Sequence, residues 1–222
     1  MKAEREPSLP GSRALAACEI ASVVSSVVIA GWAVLPFVGD NKLIGMIPVG
    51  LAIALMIVSH RAHGETARDL GWRMDNFAKA ARQLALPMLL AGAVLFVAGW
   101  SWGSLQFDGP RTARAALWLP LWGLVQQYAL QGFINRRAQI IWGRGAPSIL
   151  ATALIFAVLH LPNVWLTIIT FIGGAIWAAV YQRVPNLYAL GLSHGFMSWL
   201  LMSTLPASML KGLRVAFKYF EG

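Results

Sequence analysis

Two adjacent glutamines, Gln126 and Gln127, stand in the middle of an apolar run, residues 117–130, and a third, Gln131, follows one helical turn later. Two later apolar stretches carry one histidine each, His160 and His194, and Ser198 lies one turn beyond the second. An amide can orient a water or donate to a developing oxyanion, but it takes no proton from water. A neutral imidazole can. The set therefore offers histidine as a base, with amide N–H groups and a serine hydroxyl as oxyanion donors. Unpaired polar groups are costly in hydrocarbon, which makes residues at that depth functional candidates. Each also has a plainer role available. A glutamine can join two helices for about 1–2 kcal/mol at most, a lone histidine can be structural, and Ser193 and Ser198 can bond back to their own helix.

These residues need helices to position them. On an α-helix Gln127 and Gln131 share a face, and Gln126 is turned about 100° away. Tyr128 and Asn135 add hydrogen-bonding groups to the same run. Pro162 breaks the next helix, so His160 falls near a C-terminal end. His194 and Ser198 share a face, and Gly195 between them permits close approach of a neighbouring helix or of substrate backbone.

The chain has 222 residues, 58% hydrophobic and only 12% charged, which is the composition of an integral membrane protein. With roughly 20 apolar residues needed per crossing, the sequence predicts seven spans: 14–38, 43–59, 84–102, 113–134, 146–159, 164–181 and 187–205. The fifth is short. The tail, 207–220, carries Lys211, Arg214 and Lys218 at helical spacing and predicts an interfacial amphipathic helix or a short eighth span. The longest polar stretch is 60–83. Within it Asp75 or Asn76 could cap a short helix, 77–85, and Trp72 beside Arg73 suits the membrane–water boundary. No linker divides the chain, so residues 1–222 form one membrane domain.

The net charge of +9 falls between the spans. It points to topology and anionic lipid rather than to nucleic acid. With a cytoplasmic N-terminus, twelve basic residues face inside, beginning with Lys2 and Arg5, and six face outside, among them Lys42 and Arg111. The first span is too long for a cleavable signal and reads as a retained anchor. The single cysteine, Cys18, excludes an intramolecular disulfide and a cysteine metal cluster. Carboxylates are confined to Glu4, Glu6, Glu19, Asp40, Glu65, Asp69, Asp75, Asp108 and Glu221, so residues 109–220 contain none. A carboxylate for acid–base work could come only from Asp108 or the loop acids.

In this order and spacing the motifs resemble the CAAX-protease and bacteriocin-processing (CPBP) family of intramembrane proteases. That family's pattern is E-E-x-x-x-R on one span, F-x-x-x-H on the next and H-x-x-x-N or D near the end. Here the first falls on Gln126-Gln127-Tyr128-Ala129-Leu130-Gln131, with Gly132 following. The second is matched by Phe156 and His160, and the third by His194 with Ser198 in the last position. Asp69-Leu70-Gly71-Trp72-Arg73 is similar to a D-L-G-L-R segment common ahead of the family's core. The likeness covers residues 65–205. It implies an all-α, polytopic transmembrane helix bundle that cleaves peptide bonds of membrane-associated substrates without a cofactor. In such enzymes the first glutamate activates water, the second glutamate and the arginine support it, and the histidines and asparagine help activate water and hold the oxyanion. The carried-over site is Gln126, Gln127, Gln131, His160, His194 and Ser198, in which both glutamates, the arginine and the asparagine are replaced.

Three readings follow. The first is a histidine-centred intramembrane endopeptidase. The second is a non-catalytic relative that binds a membrane peptide or a partner helix. The third is a cofactor or transport protein, for instance one with bis-histidine haem ligation. A zinc site is chemically poor, because two histidines and amide carbonyls are not a usual catalytic ligand set.

Overall fold

The computed structural model describes residues 12–38, 42–107 and 110–220, except for the side chains of 42, 45 and 110–113. Lys2, Arg5 and Asp108 lie outside the described residues, as do the side chains of Lys42 and Arg111.

The described residues form helices and connecting turns, with no strand among them. Helix α1, Arg13–Ile29, starts at Ser12, whose hydroxyl accepts from the Leu15 N–H at 3.1 Å, and it continues through a π-helical stretch, Ala30–Val34. Helix α2 is Lys42–Ala62 and α3 is Phe77–Ser101. Helix α4, Pro110–Gln127, runs on through a π-helical segment, Tyr128–Asn135, into α5, Arg136–Trp142. Helices α6, Ala146–Val158, α7, Val164–Arg183, and α8, Leu187–Thr204, complete the bundle, and α9, Ala207–Leu210, opens the tail. Three of these are long and apolar enough to cross a membrane: Arg13–Val34, Phe77–Ser101 and Val164–Arg183. The other four predicted spans coincide with α2, α4, α6 and α8.

Large apolar side chains on α3 point outward, Leu89 at 71%, Val94 at 69% and Trp100 at 73% exposure. A surface of that kind is stable in lipid, not in water. The interior is packed from Phe133, Tyr181, Leu187 and Leu190, each nearly inaccessible.

Two local expectations are corrected. The predicted short helix 77–85 and third span are a single helix that passes straight through Pro87. Asn76 stands at its N-terminus but makes no capping bond. Its amide donates instead to the Pro185 carbonyl at 3.0 Å and accepts from Asn186 at 2.7 Å, pinning the 60–83 loop to the start of α8. The same junction is reinforced where the Leu187 N–H donates to the carbonyl of Gly71, a residue at φ +95 whose added Cβ would lie 3.0 Å from Asn186 N. Trp72, half-buried, packs against Tyr128 and Tyr188, with ring centroids 5.9 and 5.4 Å away.

The tail is not an amphipathic helix. After α9 it turns through two short 3₁₀ segments, Lys211–Leu213 and Ala216–Tyr219, with Lys211, Leu213 and Ala216 at positive φ. Its 3.6-residue spacing of basic side chains was a true pattern without a helix beneath it, because the segment folds back on the turn between α6 and α7.

Candidate active site

The contact between α4 and α8 positions the first and third motifs. It is made by glycines. A Cβ on Gly195 would lie 2.4 Å from Pro120 Cα, one on Gly191 would lie 2.8 Å from Leu124 Cα, and one on Gly123 would lie 2.6 Å from the Gly191 carbonyl. Only bare backbone lets the two axes come this close. The role of Gly195 is thus to admit a neighbouring helix. At this short separation the Gln127 side chain reaches His194, with Gln127 Nε2 3.1 Å from His194 Nδ1.

Gln126, His160, His194 and Ser198 line one cavity of about 580 Å³, whose remaining wall is largely apolar and drawn from α3, α4, α7, α8 and the tail. Gln127 is fully buried behind His194 and does not line the cavity. Trp177 stacks on the His194 ring at 4.5 Å and 18°, and its indole N–H is held by Ser193 Oγ at 3.0 Å. Phe156 closes the other side, edge-on to His194 at 5.8 Å and to His160 at 4.6 Å. The stacking role of Trp177 had no signature in the sequence, where it is one of ten tryptophans.

Gln131 lies elsewhere. Its Oε1 accepts from Asn135 Nδ2 at 2.7 Å, and Asn135 Oδ1 in turn accepts from Gln182 Nε2 at 2.9 Å. Gln182 also donates to Ser148 and accepts from the Gly145 N–H, so this network ties the π-helical segment, α6 and α7 together. The shared face expected of Gln127 and Gln131 is lost because the helix changes to π-helical hydrogen bonding at Tyr128. Such a turn re-aims side chains and is frequent at functional sites.

The hydrogen bonds assign protons to the two imidazoles. His160 Nδ1 is 2.6 Å from the Phe156 carbonyl oxygen. A carbonyl only accepts, so Nδ1 carries the proton and the Nε2 of a neutral ring has a free lone pair. His194 is the reverse. Its Nδ1 receives the Gln127 amide N–H, which places the ring proton on Nε2, an atom without a hydrogen bond among the described residues. One ring can take a proton and the other can donate one. The Gln127 carbonyl oxygen stays buried and unpartnered.

No carboxylate lines the cavity among the described residues. Two acids nonetheless have nearly inaccessible side chains, Glu19 on α1 and Glu65 in the loop after α2. Glu19 and Glu65 both bind Arg137, a fully buried side chain, at 2.8 and 2.9 Å. Arg136 adds a bond to Glu65 at 2.6 Å, Ser59 donates to Glu19 at 2.6 Å, and His60 Nδ1 lies 2.7 Å from Glu65. Burial alone would raise the Glu65 pKa. Hydrogen bonds from His60 and Arg137 and the charges of both arginines outweigh it and hold the carboxyl well below the usual range. Arg137 is thus an interior anchor rather than a loop cation facing lipid. It lies ten residues after Gln127, beyond the π-helical segment, and the acids it binds are taken up by these ion pairs and do not line the cavity. Among the described residues no group of three or more His, Cys, Asp or Glu is arranged to hold a metal ion.

Comparison with known proteins finds one family. The model for type II CAAX prenyl endopeptidase Rce1-like proteins matches residues 110–200, from the start of α4 to Leu200 in α8. No curated protein and no solved structure matches the chain. The matched segment contains every residue of the predicted site and leaves out α1–α3 and the tail.

Proposed function

We propose, on the premise that residues 110–200 belong to the Rce1-like branch of the CAAX-protease family, that this chain is a multi-pass intramembrane endopeptidase working through its histidines. The cavity is its active site. The observation that carries this reading is that Gln126 at the end of α4, His160 just after α6, and His194 and Ser198 on α8 line one largely apolar cavity. We place the N-terminus in the cytoplasm, from the loop distribution of basic residues, and the substrate among membrane-associated peptides or proteins.

The hydrogen-bond pattern supports a division of labour. His160 Nε2 takes a proton from water as the water oxygen bonds to the peptide carbonyl carbon. The carbonyl oxygen becomes an oxyanion that accepts from His194 Nε2–H, with the Gln126 amide and the Ser198 hydroxyl as further donors in the same wall. His160 then returns its proton to the amide nitrogen, the C–N bond breaks, and a carboxylic acid and an amine leave. Gln127 acts on His194 by fixing its tautomer, and Trp177 and Phe156 fix the ring plane. Gln131 belongs to the helix-joining network and takes no part.

A second reading, a non-catalytic relative that binds a membrane peptide, is favoured by one observation, the lack of a carboxylate among the described cavity residues. The two separate in one experiment. The full chain in lipid vesicles is incubated with a mixture of membrane-anchored peptides and the products are identified by mass spectrometry. Cleavage that vanishes in His160→Ala and His194→Ala supports the protease. Peptide capture without products, weakened by the same changes, supports the binder.

A further inference from the structure

The cavity wall is not confined to the matched segment. Leu213 and Val215 line it from the tail, beyond residue 200. The tail is clasped on both sides of these two residues. Asn163, 1% exposed, caps α7 by accepting from the Leu166 N–H at 3.2 Å. Its amide Nδ2 donates to the carbonyls of Leu210 and Arg214 at 2.9 and 3.3 Å. On the far side, the Ala216 N–H donates to the Leu161 carbonyl at 2.9 Å, and Leu161 directly follows His160. A Cβ on Gly31 of the α1 π-helical stretch would lie 2.9 Å from Ala216 Cβ, so that helix presses on the outer face of the tail.

The backbone records the same constraint. Lys211, Leu213 and Ala216 hold φ of 45, 60 and 51, a region that non-glycine residues keep only where the surroundings impose it. The path of the tail is therefore set by its anchors, which hold Leu213 and Val215 against the cavity while the charged Lys211, Arg214 and Lys218 stay exposed. The anchor at Leu161 brings this wall up beside His160.

We propose that Leu213 and Val215 are specificity-determining residues, setting the size of the apolar substrate side chain that can lie beside His160 and His194. This rests on the reading of the cavity as the substrate site. Neither residue carries a polar group, so they discriminate by volume alone, as one or two methyl groups do in any apolar pocket.

Access to the cavity tests this without requiring cleavage. Cys18 is the single cysteine, so Cys18→Ser with Ser198→Cys gives a full chain with one reporter thiol in the cavity wall. Its alkylation is timed with a small apolar methanethiosulfonate and with a bulky aromatic maleimide, in the same vesicles. Leu213→Ala with Val215→Ala is expected to raise the bulky reagent's rate about tenfold and leave the small reagent's rate nearly unchanged, and Val215→Trp to lower the bulky rate by a similar factor, the scale of about 1.4 kcal/mol of packing. Val215→Ile, which adds a single methylene, covers the case where the larger changes impair folding, and it must also slow the bulky reagent. Rates for the two reagents that move together, or that ignore every one of these changes, overturn the proposal. A wild-type chain that cleaves nothing, beside a reporter chain that shows the size selectivity, leaves the cavity wall established and removes only the protease.

Discussion

The Gln127 amide nitrogen lies 3.1 Å from His194 Nδ1 in a site where Gln127 is fully inaccessible. An amide N–H there forces the imidazole nitrogen to be an acceptor, whereas a carboxylate at the same position could only accept and would force it to be a donor. Gln at this position thus leaves the His194 ring proton on Nε2, whereas Glu would draw it to Nδ1, the nitrogen that faces residue 127.

Gln127→Glu should therefore invert the His194 tautomer. ¹⁵N chemical shifts of labelled histidine distinguish the two forms. The expected result is protonated Nε2 in the wild type and protonated Nδ1 in the variant, with His160 protonated on Nδ1 in both. A wild-type His194 protonated on Nδ1 would show that the amide is turned the other way and that the division of roles is wrong.

Gln126→Glu puts a carboxylate in the cavity wall, where the family pattern has its water-activating glutamate. Cleavage should appear or rise by about 10²–10⁴-fold, the usual worth of a positioned general base. A wild type that cleaves and a variant that does not would mean that the Gln126 amide itself is part of the mechanism. His160→Ala and His194→Ala should each remove most activity in either background.

Much of this was legible in the residues. The apolar runs located the helices to within a few residues at most ends, because several are bounded by a proline, a glycine or a capping Ser or Asn that works through local geometry, as at Ser12, Asn163 and Asn186. The grouping of Gln126, His160, His194 and Ser198 was legible through motif order. Three things were not. The π-helical segment that begins at Tyr128 leaves Gln131 outside the cavity lining, and no residue type marks where α-helical bonding gives way to it. The tail's basic spacing pointed to a helix that its anchors at Asn163 and Leu161 prevent. The acids at Glu19 and Glu65 sit 46 residues apart in the sequence and meet only through Arg137, a pairing that periodicity cannot reveal.

Gly195→Leu tests the helix contact that forms the site. Its Cβ would start 2.4 Å from the Pro120 backbone, which cannot move aside as a side-chain tip would. Overpacking of this kind costs roughly 1–3 kcal/mol or more. The thermal transition in detergent should fall, and the Gln127–His194 hydrogen bond should be lost from the ¹⁵N spectrum. Gly50→Leu, on α2 with nothing within 4 Å of its Cβ, serves as the control and should leave both unchanged.

Arg137 carries two buried carboxylates, so Arg137→Ala should destabilise far more than a surface arginine would, by about 3–5 kcal/mol, because it leaves charge behind without a partner. The pH dependence follows from Glu65. Its folded-state pKa is depressed, so its contribution is fully present above the ordinary glutamate value of about 4.3 and is lost as pH falls toward the folded-state value. Wild-type stability should therefore decline as the pH is lowered from about 5, through the ordinary carboxylate range. Glu65→Gln should start lower at neutral pH, where it lacks the ion pairs to Arg136 and Arg137, and decline less steeply over that window. Parallel wild-type and variant profiles in thermal melts at stepped pH would place the acid sensitivity in other groups.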